Sequence, residues 1–127
     1  MEKEYVSLVS AFIAIFAFIF SFLTFVINHK QNKKELAYKM LFDINMISFQ
    51  NPEVAILDGD KFTPQQAGYA AIVWNFIESV YNLKLQNDTF LKPAISQLVA
   101  LYLKWYIKNK KSYGIRFQDY VQKQFKI

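Results

Sequence analysis

The chain has 127 residues, of which 54% are hydrophobic and 18% aromatic, with 15 Lys plus Arg against 10 Asp plus Glu and a net charge of +5. That is one domain's worth of chain and too apolar for a disordered tail; 3 Gly and 3 Pro argue against a collagen-like rod, a turn-rich sandwich or a Gly-rich nucleotide fold. Zero Cys excludes disulfides, thiolate metal sites and a cysteine nucleophile.

Tyr5 to Asn28 is a run of 24 positions without a charged residue. As a helix it reaches about 36 Å, against a hydrocarbon core of roughly 30 Å. A cleaved signal peptide has an apolar stretch of about 7–15 residues, a basic start and a small-x-small cleavage site; this segment has none of these, so residues 1–28 read as a retained transmembrane signal anchor. Only Lys3, between Glu2 and Glu4, precedes the run, whereas His29, Lys30, Lys33, Lys34 and Lys39 follow it. The positive flank predicts that residues 29–127 are cytoplasmic and the N-terminus outside, in the plasma (inner) membrane.

Ser7, Ser10, Ala14, Ala17, Ser21, Thr24 and Asn28 recur at alternating spacings of 3 and 4. They form one stripe of small or polar residues; of such residues in the run, Ala11 alone lies off it. Helices in lipid pair by close backbone approach and hydroxyl hydrogen bonds. The stripe therefore predicts pairing with another span, and a homodimer is one form of it. The bland alternative is that Ser and Ala are simply tolerated by lipid.

Past the anchor the apolar period is helical throughout. Leu36, Ala37, Met40, Leu41, Ile44 and Ile47 predict a continuation over about 29–49, with its inward stripe rotated away from the small-residue seam. Asn51-Pro52-Glu53 ends that helix and starts a short one over 52–57, before a turn at Asp58-Gly59-Asp60. Thr63, Pro64 and Gln66 form a capping box opening a helix over 64–86. Tyr69, Ile72, Val73, Phe76, Val80 and Leu83 make one apolar stripe on it; Trp74, Ile77, Tyr81 and Leu85 make a second, with Asn75, Glu78 and Asn82 between. A helix wrapped in this way sits at the centre of a bundle. Asn87-Asp88-Thr89 breaks the chain before a helix over 89–111, and Gly114 precedes a last one over 116–126. The fold class is all-α: a transmembrane helix running into a small cytoplasmic helical bundle.

The chemistry is sparse. There is no phosphate loop and no G-x-S-x-G elbow, and His29 is the single histidine, so no two-His metal site forms within one chain. Asp58 and Asp60 read as a surface turn, since a calcium loop needs more oxygen ligands and a distal Glu. Neither a cofactor nor catalysis is expected, and only Glu78 leaves a slender opening for an enzyme. Asn75 and Glu78 are candidate buried polar residues. Glu78 is either an acid with a raised pKa or, as favoured, a partner of a helix end or a lysine.

From Lys84 to Ile127 nine Lys or Arg face two Asp. Lys104, Lys108 and Lys111 share a helical face, with Lys110 beside them and Trp105 adjacent. This face reads as a solvated surface, as a contact for anionic lipid or a protein partner, and last as a nucleic-acid surface, since no reading module accompanies it. Trp74, Trp105 and Tyr106 are the candidate contact aromatics, provided they are exposed.

The anchor with its Lys-rich flank, the N-P-E at Asn51–Glu53, W-N-F-I-E at Trp74–Glu78 and Y-L-K-W-Y at Tyr102–Tyr106 together resemble a loose group of small bacterial single-pass membrane proteins with a helical cytoplasmic domain. The resemblance implies that architecture and an inner-membrane setting, and carries no activity to transfer. The expected function is a membrane-anchored interaction or regulatory protein binding protein partners at the inner face. The alternative is a membrane-active effector, of phage-exclusion or toxin-like kind, acting through oligomerised spans.

Overall fold

A computed structural model describes residues 2–55 and 61–127 of the chain. The described residues form α-helices without a strand: α1 (Glu2–Gln50), α2 (Pro52–Ala55), α3 (Pro64–Asn82), α4 (Leu91–Asn109) and α5 (Ile115–Phe125), with a 3-10 turn at Lys110–Ser112 between the last two. The expected turn at Asp58-Gly59-Asp60 and the end of the 52–57 helix lie outside the described residues. The chain divides into two compact units, one through Glu35 and one from Leu36 to Ile127.

The first unit is the leading part of α1. It is long and apolar enough to cross a membrane, and none of its most apolar stretch is buried. Phe18 and Phe20 are each 73% exposed. Asn51 ends α1, because a residue before proline is pushed out of helical geometry.

The second unit closes around aromatic side chains. Ala37, Leu41 and Ile44 of α1 are buried, as expected of their stripe, while Leu36 turns out exposed. Thr63 and Gln66 form the predicted capping box: the Gln66 N–H donates to Thr63 Oγ1 at 3.2 Å and Gln66 Oε1 accepts from the Thr63 N–H at 2.9 Å. Such a cap stabilises a helix by about 1 kcal/mol. α3 buries Val73, Trp74, Phe76, Ile77 and Val80 almost completely, as a central helix must. Ile72, expected inside, faces solvent instead.

α3 ends at Asn82 rather than near residue 86. The Leu85 N–H donates to the Val80 carbonyl at 3.0 Å and the Lys84 N–H to the Tyr81 carbonyl at 2.9 Å, with Lys84 left-handed at φ 60. This is a Schellman stop, built on a lysine where glycine is usual, so no glycine marks it in the sequence. Asp88 then organises the start of α4. Its Oδ2 accepts from the N–H groups of Phe90 and Leu91, both at 3.1 Å, and its carbonyl accepts from Lys92.

Trp74 is the hub of the core. Its ring stacks on Tyr106 at 4.2 Å between centroids and meets Phe117 edge-on at 6.3 Å. Tyr106, Tyr113, Phe117, Tyr120 and Tyr81 continue the cluster, with Tyr81 stacked on Tyr120 at 4.8 Å. Each such pair adds about 0.5–1.5 kcal/mol beyond area burial. α5 thus docks through Phe117 and Val121 onto α3 and α4 side chains.

Candidate functional site

Ser7, Ser10, Ala14, Ala17, Ser21, Thr24 and Asn28 are all exposed on α1. The helix carries them without interruption, so the stripe is a continuous surface of small side chains bordered by large apolar ones.

Glu78 proves to be a structural partner of a helix end. It is half-buried, and its Oε2 accepts from the Gly114 N–H at 3.2 Å. Gly114 is the residue immediately before α5. The carboxylate therefore satisfies a backbone donor at the helix start and places negative charge at the positive end of the helix dipole. Burial, and then the Glu78 charge, push the Tyr106 and Tyr113 phenols up, Tyr113 to about 12. Asn75 does not share that environment. It is exposed, and its carbonyl accepts from Ser79 Oγ at 2.8 Å. Its place between two apolar stripes suggested burial, but that strip opens to solvent at Asn75 and is covered only further along, where α5 begins beside Glu78.

Beyond Glu78 lies an open groove of about 840 Å³, reaching Lys84, Gln86, Asn87 and Arg116. Gln86 Oε1 is buried there without a hydrogen-bond partner. The groove mixes one acid with Lys84 and Arg116, and no second carboxylate is among its described lining residues. Among the described residues no three acidic or histidine side chains gather as metal ligands would.

Lys104, Lys108, Lys110 and Lys111 are all exposed. Lys104 and Lys108 lie on α4, but Lys111 falls in the 3-10 turn with Lys110, so the expected single helical face bends at its end. Lys108 Nζ sits 5.7 Å from the centroid of the Phe62 ring, a cation–π contact worth about 0.5–1 kcal/mol at an exposed site. Lys110 and Lys111 complement the negative C-terminal end of α4. Trp105 is half-buried, and its carbonyl accepts from Asn109 Nδ2 at 2.8 Å. Trp74 and Tyr106 are buried and belong to the core, which removes them as contact aromatics and leaves Trp105.

One surface has no counterpart in the sequence reading. Tyr38, Leu41, Phe42, Asn45 and Phe90 line an apolar groove of about 530 Å³. The Tyr38 O–H donates to both Asp88 carboxylate oxygens, at 3.0 and 3.2 Å, and its ring meets Phe90 edge-on at 5.2 Å. Burial, then the hydrogen bond and charge of Asp88, raise the Tyr38 pKa. The available signal was Phe42, a large apolar residue standing off the inward stripe.

No protein family, curated protein or solved structure matches the chain.

Proposed function

We propose that this chain is a single-pass membrane protein whose helical unit binds protein partners at the inner face of the membrane, in a regulatory or scaffolding role. One observation carries the reading: an uninterrupted, solvent-exposed apolar stretch of α1 belongs to the same helix that supplies Ala37, Leu41 and Ile44 to a compact helical core. Exposed phenylalanines along a span's length are stable in lipid and costly in water. The lysines after Asn28 orient the span with the helical unit in the cytoplasm, and the layout shared with small bacterial membrane proteins supports a bacterial plasma membrane as the setting.

The basic surface of Lys104, Lys108, Lys110 and Lys111 beside Trp105 supports contact with anionic lipid or an acidic partner, each lysine adding about 1 kcal/mol near a charged membrane. Cross-linking in native membranes from a photoreactive group at exposed Ile107, beside these lysines, tests the partner reading. A discrete adduct that disappears when Lys104, Lys108 and Lys111 are replaced by Glu supports it; an unchanged adduct pattern counts against it.

The small-residue stripe favours a second reading, an effector acting through oligomerised spans. It predicts that Ala14→Ile with Ala17→Ile abolishes both pairing and any toxicity. Toxicity persisting after pairing is lost would refute it.

A further inference from the structure

The open groove of about 840 Å³ is lined from the end of α3, the loop after it and the start of α5, all within the second unit. Lys84 and Arg116 both line it and are exposed. Among the described residues no carboxylate pairs with either. Lys84 is held left-handed at φ 60, a conformation that glycine adopts without the Cβ penalty. Backbone strain kept at the rim of a groove, by a residue that glycine would relieve, points to a side chain in use. Gln86 lines the same groove, and its Oε1 is buried without a hydrogen-bond partner. An acceptor left in that state lacks a donor that the fold does not supply.

We propose that this groove binds a small phosphate ester that carries free hydroxyl groups. Lys84 meets the phosphate as a point charge and Arg116 as a planar fork of donors. The amides of Asn82 and Asn87, on the same lining, offer further N–H groups. Gln86 Oε1 accepts from a ligand hydroxyl once its half-buried side chain turns to the groove. The inference does not rest on the membrane reading, because the groove lies inside the helical unit.

Glu78 decides the class of ligand. Its Oε2 already accepts from the Gly114 N–H at 3.2 Å, so the backbone N–H before α5 is taken and side chains must hold the anion. Its charge repels a bare anion, while its remaining lone pairs accept from hydroxyl donors. With Lys84 and Arg116 against Glu78 the lining is net positive, which suits a phosphate better than a zwitterion. A soluble ester and the phosphoglycerol headgroup of an anionic lipid present this same chemistry.

The full chain in neutral detergent is unfolded by heat and followed by near-UV circular dichroism. Glycerol 3-phosphate, phosphatidylglycerol mixed into the micelles, and inorganic phosphate are added in turn. The expected result is a midpoint raised by about 4 °C with an ester, and by less than half of that with inorganic phosphate. A rise with glycerol 3-phosphate upholds the site for a soluble ester; a rise with phosphatidylglycerol alone upholds it for a lipid headgroup. Lys84→Gly and Arg116→Gln should each remove most of the rise. Lys84→Gly should do so without lowering the ligand-free midpoint, which separates lost binding from lost fold. Replacing Lys104, Lys108 and Lys111 by Glu, outside the groove, should leave the rise in place. No rise with either ester, or a rise that survives both Lys84→Gly and Arg116→Gln, overturns the site. An equal rise with inorganic phosphate overturns the assignment to an ester with hydroxyl groups.

Discussion

The indole N–H of Trp74 donates to the backbone carbonyl of Tyr102 at 2.9 Å, at the residue where α4 leaves helical geometry (φ −117, ψ 16). A side chain reaching into the carbonyl ladder is one of the few causes of a sharp helix kink. Here it also satisfies the single polar atom of a fully buried tryptophan. The bond joins α3 to α4 at the centre of the aromatic core.

Replacing Trp74 by Phe should therefore cost more than ring area alone. The Tyr102 carbonyl loses a buried donor, which costs about 1–3 kcal/mol, and a cavity is added. Trp105→Phe, at a half-buried position, should cost less. Thermal unfolding of the full chain in detergent, followed by near-UV circular dichroism, checks the order. Equal losses for the two variants would contradict the role assigned to Trp74.

Lys84 holds a left-handed conformation at an exposed position. Such backbone costs about 1–2 kcal/mol for a residue with a Cβ, and glycine avoids it. Glycine also gives the unfolded chain more freedom, a term of about 0.4–1 kcal/mol in the opposite direction. Lys84→Gly should stabilise the helical unit by a net of about 0.5 kcal/mol, seen as a small rise in the same unfolding midpoint. Lys84→Val should lower it.

Alkali should unfold the core through its phenols. Tyr113 is raised to about 12, first by burial and then by the Glu78 and Tyr106 charges; burial also leads the upward shifts of Tyr69 and Tyr102. A folded pKa above the unfolded value near 10 gives stability that is complete below pH 10. That stability is lost as pH rises through about 12. Near-UV dichroism should hold to about pH 10 and then fall. Glu78→Gln should let Tyr113 ionise at lower pH, read as phenolate absorbance, and should weaken the start of α5. A Tyr113 titration unmoved in Glu78→Gln would contradict the proximity argument.

Contact of the basic surface with lipid can be read from Trp105, since Trp74 is wholly buried. In vesicles containing brominated anionic lipid, fluorescence of the reconstituted full chain should be quenched more than with brominated neutral lipid. Lys104→Glu, Lys108→Glu and Lys111→Glu together should remove the difference without changing the helical dichroism. A difference that survives the triple variant would sink the lipid contact.

The all-α architecture was legible because strong periodicity and local caps agree. Pro64 with Thr63 and Gln66 opens α3 where predicted, and Ala37, Leu41, Ile44, Trp74, Phe76 and Val80 are inside where their spacing put them. Two kinds of feature were not legible. Lys84 stops α3 in a conformation that residue type does not announce, so the end of α3 was placed about four residues late. Asn75 and Glu78 share a strip of helix, and only the docking of α5 decides that Glu78 is half-covered and Asn75 is not. The groove around Phe42 and Phe90 brings together residues 48 positions apart, beyond what helical spacing can show.

The most direct test of the account is the side of the membrane on which the helical unit lies. Two reporters, one active only in the cytoplasm and one only outside it, are fused in turn after Ile127 of the full chain. The account predicts activity from the cytoplasmic reporter alone. Activity from the external reporter would contradict the orientation drawn from the lysines after Asn28, and with it the proposed role at the inner face.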